Sequence, residues 1–240
     1  MRSRTWRRPG AGFASLSPGA GQARRVLKGG SMPTLSSRLA LIPTLTLALG
    51  SLGAVGCGAE IDEDATILPY LAGYQKTLHY AVRPTYWPNI DLIPACLALY
   101  EAELAIVMHL AAQQDVEKRV QFFLELKYGL QTVADGYDVI LLDSPPALGM
   151  ISINVLMAAD ALLVPSAARM FDFSSTVQFF RMVHNYIGKI DATKQYRWIS
   201  VLTTLFDQRY ESQKQFYEVM GTCFADSMFK RVFFHSSEVI

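Results

Sequence analysis

Residues 136–146 read GYDVILLDSPP, and their order puts one carboxylate where chemistry can be done. Four consecutive apolar residues, Val139, Ile140, Leu141 and Leu142, predict a buried strand that ends at Asp143. Open α/β sheets bind their ligands at this carboxyl end. A carboxylate so placed can hold Mg²⁺ through water beside the β- and γ-phosphates of a nucleotide. Ser144 follows, and Pro145 and Pro146 then remove two backbone donors. The strand therefore stops at once, and the next turn is a distinct segment able to respond to a γ-phosphate. Taken alone, the same letters also describe an ordinary Asp-Ser-Pro turn in which Asp143 only caps the backbone.

Other chemically able residues carry weaker signals. Cys57, Cys96 and Cys223 lie far apart, and His79, His109, His184 and His235 share no ligand spacing with them. Neither a disulfide framework nor a metal cluster follows, and a reducing cytoplasm fits. Lys189, Lys194 and Arg197 form a basic cluster suited to phosphates or simply to a solvated face. Tyr86, Trp87 and Pro88 suggest a packed surface corner, and Met150, Met157, Met170 and Met182 suggest core fillers.

The elements that must position Asp143 follow from apolar spacing. Val116, Val120, Phe123, Leu126 and Leu130 recur at helical intervals, as do Phe173, Val177, Phe180, Val183 and Ile187. Between such helices lie short apolar runs at residues 139–142, 161–164 and 199–205, with 90–93 a fainter one. Continuous apolar strands alternating with helices predict an α/β fold with a mostly parallel sheet covered on both faces. With 240 residues, 51% of them hydrophobic, the chain can bury one sizeable core. Its formal charge of +1 sets up no global field toward nucleic acid, so any DNA contact has to be local.

Composition divides the chain near Glu60. No acidic residue precedes it, while Arg2, Arg4, Arg7, Arg8, Arg24, Arg25, Lys28 and Arg38 are basic. Residues 1–58 are therefore expected to be a basic, then apolar, segment distinct from a folded domain over residues 59–240. The uncharged run 39–56 after Arg38, ending before Cys57, has the outline of a lipoprotein signal. Pro43 and the Gly and Thr content count against this and against a membrane-spanning helix; the competing expectation is a buried or poorly ordered apolar stretch. No stable membrane insertion is expected.

Residues 137–183, YDVILLDSPPALGMISINVLMAADALLVPSAARMFDFSSTVQFFRMV, closely resemble the ParA/MinD family of deviant P-loop ATPases, in its plasmid and chromosome partition branch. ATILPYL, HYAVRPTYWPNIDLIPACLALYEAEL and VLTTLFDQR match in the same order, so the resemblance extends over residues 64–240. It implies a three-layer P-loop fold, incomplete here at both ends. It implies ATP and Mg²⁺ as cofactors, with Asp143 as the Walker B acid holding Mg²⁺ through water. Ser144, Pro145 and the turn to Met150 become the nucleotide-sensing switch. Strand 161–164, ending at Pro165, becomes the next core strand. Thr203, Thr204 and Asp207 fall near the nucleotide base, and Arg209 is placed to face DNA. The implied partners are a second copy or a paralogue in a sandwich dimer, a centromere-binding ParB-like protein and non-specific DNA, in a nucleoid-associated, cytoplasmic setting.

The sequence departs from that family where phosphate should be bound. Relatives carry KGGxGK followed by Ser or Thr, a loop whose N–H groups and lysines cradle phosphates. This chain has Lys28-Gly29-Gly30-Ser31-Met32-Pro33-Thr34 and no GK followed by Ser or Thr anywhere. Pro33 also removes a donor from the stretch. The second early acidic motif, of D-x-D-P-Q type, is absent as well. A shifted reading frame, a fused segment or a wrong start codon would give residues 1–58 this foreign character, and FFHSSEVI stops where relatives continue. Little or no ATP hydrolysis is expected, along with a sheet edge left open by the missing first strand. A non-enzymatic remnant that binds a relative or a partner protein is the alternative function.

Overall fold

The computed structural model describes residues 39–43, 62–145 and 148–236. The chain divides into two compact units, Ser31–Ala159 and a second unit whose described part begins at Asp160.

In the first unit the strands are β1 (Leu39–Pro43), β2 (Arg83–Pro84), β3 (Ile90–Leu92) and β4 (Val139–Asp143). Their order is β2-β3-β1-β4; β1 runs parallel to both β3 and β4, and β2 is an antiparallel edge. The sequence predicts β3 and β4, but it leaves an open place where the first strand of the sheet belongs. That expectation is corrected: Leu39–Pro43 fills the place, pairing Leu39 with Val139 and Pro43 with Asp143. The first five residues of the signal-like run are thus a strand of the sheet; the rest of the run, Cys57 and the Lys28–Thr34 string lie outside the described residues.

Among the described residues of this unit the α-helices are α1 (Leu68–Leu71), α2 (Leu99–Ala112), α3 (Val116–Gln131) and α4 (Met150–Ala158). Asp115 starts α3, its carboxylate accepting from the N–H groups of Glu117 at 2.9 Å and Lys118 at 3.4 Å. Ile67, Leu78, Ile93, Leu99 and Leu126 are buried at the centre of the core. Gly129 is required by packing, because a Cβ there would lie 2.5 Å from the Tyr70 ring. Val139 and Leu141, on one face of β4, remain 44% and 49% exposed, so the described residues cover that face only in part.

In the second unit β5 (Leu162–Ala167) pairs in parallel with β6 (Ile199–Thr204). The sequence stops β5 at Pro165, whereas the strand continues through it to Ala167. β5 has a single partner in this two-stranded sheet, so a residue lacking N–H is tolerated. Helices α5 (Met170–Ile190) and α6 (Glu211–Phe224) pack on it through Phe180, Met220 and Phe224, around Val201 and Phe206. Residues 228–235 run along β6: Phe229 N–H donates to the Val201 carbonyl and Phe233 N–H to the Thr203 carbonyl, both at 2.8 Å.

Of the four methionines expected in the core, Met150 and Met157 are buried, but Met170 and Met182 are exposed. The buried stripe of α5 is Thr176, Phe180, Val183 and Ile187; Met182, one residue away from Val183, is turned about 100° off it. Tyr86 and Trp87 form the expected surface corner, their ring centroids 3.9 Å apart and both side chains exposed. Among the described residues no helix is long and apolar enough to cross a membrane.

Candidate functional site

Asp143 is the last residue of β4, and its side chain is exposed at the carboxyl end of the strand, as the sequence predicts. Ser144 is exposed beside it and Pro145 is buried; residues 146 and 147 lie outside the described residues. The Pro145 carbonyl accepts a long, 3.4 Å hydrogen bond from the buried Ser152 hydroxyl, which ties the turn to α4. Because β1 and β4 are parallel and Pro43 is in register with Asp143, the chain leaves β1 at the same end of the sheet as Asp143. Leu39, the first residue of β1, lies at the opposite end of the strand, about 13 Å from Pro43 at the rise of a β-strand.

This topology tests the fit of a magnesium nucleotide. A solvent-exposed carboxylate at a parallel strand's carboxyl end is the donor that a hard, partly hydrated cation takes. Among the described residues no group of three His, Cys, Asp or Glu side chains could hold a metal. From these residues Mg²⁺ would therefore take the Asp143 carboxylate, with water and phosphate supplying the other oxygens. The residues fit the cation, but no phosphate cradle is found among them.

α4 is held by two contacts that sequence reasoning did not single out. Its N-cap, Gly149, supplies no side-chain cap; instead the Ile151 N–H donates to Glu103 Oε1 on α2 at 3.2 Å. Asn154 faces α3, where its Oδ1 accepts from the Leu126 N–H at 3.2 Å and its Nδ2 donates to the Phe122 carbonyl at 2.8 Å. The amide thus inserts into the α3 ladder between residues four apart. A polar residue inside the apolar run ISINVLMA was the available signal for Asn154. Glu103 gave none, since its partner is 48 residues away.

The second unit holds the other expected residues. Thr203 is fully buried, and its hydroxyl has no hydrogen-bond partner among the described residues. Thr204 is half-buried at the end of β6, and Leu205 turns the chain with φ at 51°. Asp207 accepts from Arg209 three times through side-chain nitrogens, at 3.0, 3.1 and 2.7 Å, and once from its backbone N–H at 2.9 Å. These bonds, the side-chain ones first, hold the Asp207 carboxyl down at about 2. The Asp207 side chain is 12% exposed and that of Arg209 82%, so the guanidinium expected to face DNA is solvent-facing but already engaged with a carboxylate. In the basic cluster, the Lys194 ammonium sits 5.2 Å from the centre of the Tyr196 ring, whose hydroxyl is pushed above its ordinary range by burial.

A mostly parallel α/β sheet with an acid at a strand's carboxyl end is the arrangement of open-sheet folds that bind ligands, nucleotides among them, at that end. Residues 52–195 match the AAA domain family, and the chain belongs to that family, within its ParA/MinD-type partition ATPases. It is 35% identical to protein SopA of Escherichia coli K12 over 159 residues, which are 66% of this chain and 40% of SopA. It is 27% identical to the sporulation initiation inhibitor protein Soj of Bacillus subtilis, over 63% of this chain and 55% of that one. The chain spans about 40% of the length of SopA, the relative matched at highest identity among these. Among solved structures it is similar to apo McdA from Cyanothece, with a TM-score of 0.69 at 21% identity, covering 93% of this chain and 84% of that one. It is also similar to cobyrinic acid a,c-diamide synthase from Mycobacterium smegmatis with bound ADP and magnesium. There the TM-score is 0.65 at 20% identity, covering 85% and 76%.

Proposed function

We propose that the chain is a ParA-like partition protein that keeps the magnesium half of a nucleotide site and hydrolyses ATP little or not at all. The observation that carries this is the exposed Asp143 carboxylate at the end of β4, in register with Pro43 of β1. Bound ATP would supply the phosphoryl group and Mg²⁺ its charge neutralisation. The chain's own contribution is to hold the Asp143 carboxylate at the strand end, with Ser144 and Pro145 carrying any change on to α4. Phosphoryl transfer depends almost wholly on positioning and on charge stabilisation by donors around the phosphates. The Lys28–Thr34 string has Met32 and Pro33 where that cradle has its third glycine and second lysine, and it precedes β1 rather than following it. Thr204 and Asp207 are assigned to the nucleotide side of the second unit, and Arg209 to weak, non-specific DNA contact that competes with Asp207. A second copy or a paralogue, a centromere-binding ParB-like protein and a nucleoid-associated cytoplasmic setting complete the reading.

Steady-state ATP turnover by this chain, with Asp143→Ala as control, tests it. The expected outcome is turnover indistinguishable from that of the Asp143→Ala variant; robust turnover lost in that variant overturns the proposal.

A second reading, a non-enzymatic interaction module, is favoured by one feature. Leu97, Tyr100, Leu104, Val107 and Met108 form an exposed apolar stripe along α2 and the residues just before it. Co-purification with a full-length relative or with its centromere-binding protein, abolished by Leu104→Glu, would support that reading over the first.

A further inference from the structure

The helix that follows Asp143 starts without a cap of its own. Gly149 is its N-cap, with extended backbone at φ −97° and ψ −170° and no side chain to accept a hydrogen bond. The first-turn N–H groups of a helix need acceptors, and a negative charge there is favoured by the helix dipole. The acceptor comes from another element. Glu103, half-buried on α2, points its Oε1 at the Ile151 N–H at 3.2 Å.

Gly149 makes this approach possible. Its backbone lies in a region open to any residue, so conformation alone does not call for glycine. A Cβ there, however, would collide with Glu103 Oε1 and lie 2.9 Å from its Cδ. The absent side chain is thus the space in which the carboxylate sits. Beyond the first turn, Asn154 fastens α4 to α3, and the Ser152 hydroxyl reaches back to the Pro145 carbonyl. The strand end at Asp143, the residues Ser144 and Pro145, and the first turn of α4 are therefore one mechanically connected stretch. Glu103 supplies the carboxylate among these contacts.

We propose that Glu103 is a positioning residue for the Asp143 strand end: its carboxylate, lodged against Gly149, latches the first turn of α4 to α2 and so sets where Ser144 and Pro145 rest. The proposal rests on the reading of Asp143 as the nucleotide-side acid, and it adds the residue that fixes the starting position of the segment meant to respond. A cap that served α4 alone would leave residues 144 and 148 indifferent to its loss. A latch passes the loss on to them.

Backbone hydrogen exchange on the full chain, resolved to single amides, tests this with four variants. Glu103→Ala is expected to speed exchange at Ile151 tenfold or more and to carry at least a threefold increase to Ser144 and Leu148, while Leu126 on α3 is unchanged. Glu103→Gln keeps an acceptor oxygen and is expected to restore most of the protection. Gly149→Ala should reproduce Glu103→Ala by expelling the carboxylate, and the double variant should be no worse than either single one. Additive losses in the double variant, or an effect confined to Ile151, overturn the latch. Should Glu103→Ala fail to fold, Gly149→Ala and Glu103→Gln still decide the matter by the same amides. A separate arm adds Mg²⁺ and ATP to the unaltered chain. If no amide near Asp143 responds, the nucleotide reading fails, while the variants in free protein still judge the latch.

Discussion

Asp207 and Arg209 form the shorter of the two ion pairs among the described residues, and the pair has a pH signature. The carboxyl is held at about 2, below the ordinary carboxylate value of about 3.9, by hydrogen bonds from the Arg209 guanidinium and N–H. A depressed value in the folded state means that the contribution to stability is complete above the unfolded value and is lost as pH falls through about 2. Replacing Arg209→Gln is expected to move the Asp207 midpoint up toward about 3.9, as read by NMR titration of its side-chain carbon. An unmoved midpoint would assign the depression to something other than Arg209. Thr203 poses the opposite problem, a buried hydroxyl without a partner among the described residues. Such a group costs free energy in the folded protein, so Thr203→Val is expected to raise stability by about 1 kcal/mol, measured by urea unfolding. If nucleotide affinity falls at the same time, the hydroxyl is a ligand contact held ready at the cost of stability. The strand end at Asp143 was legible in the sequence because an apolar run leads into it, whereas Thr203 and Asp207 were singled out only through the family resemblance. Glu103 was not, because its role depends on a contact between α2 and α4.

Among the helices, α4 shows how a local pattern can locate an element and still miss what holds it. Its apolar letters mark a buried segment, and it is buried: Met150, Ile151, Val155, Leu156 and Met157 all lie in the interior. Asn154 sits among them as the one buried amide, bonded at both ends to the α3 backbone. Its loss removes an acceptor from the Leu126 N–H and a donor from the Phe122 carbonyl. Asn154→Leu is accordingly expected to cost about 1–3 kcal/mol in denaturant unfolding. Asn154→Asp should cost more, because a carboxylate oxygen would then face the Phe122 carbonyl. Equal costs would show that volume rather than hydrogen bonding sets the α3–α4 contact. The same pairing explains why the helical periodicity of Leu126 and Leu130 predicted α3 correctly. The apolar stripe and the Asn154 contact lie toward the same neighbour, so one pattern served both.

For the chain as a whole, the instructive difference is β1. Residues 39–56 carry no charge and little β-specific pattern, so from sequence they read as readily as a signal or a buried apolar stretch as they do as a strand. Only pairing with β3 and β4, 51 and 100 residues away at the Leu39 register, makes Leu39–Pro43 a strand; such pairing leaves no local trace. Its place in the sheet also decides where a phosphate loop would have to be. In this fold the cradle joins a parallel strand's carboxyl end to a following helix, so it must come after Pro43, next to Asp143. The Lys28–Thr34 string comes before β1 in the chain. Two grafts separate these positions. A complete KGGxGKT loop inserted directly after Pro43 is expected to tighten Mg²⁺-dependent ATP binding at least tenfold over the unaltered chain, a gain that Asp143→Ala removes. The same loop substituted for residues 28–34 should leave binding no tighter than that of the unaltered chain in a fluorescent-nucleotide titration. Binding conferred by the second graft and not by the first would reverse the assignment of β1 as the strand that feeds the nucleotide site.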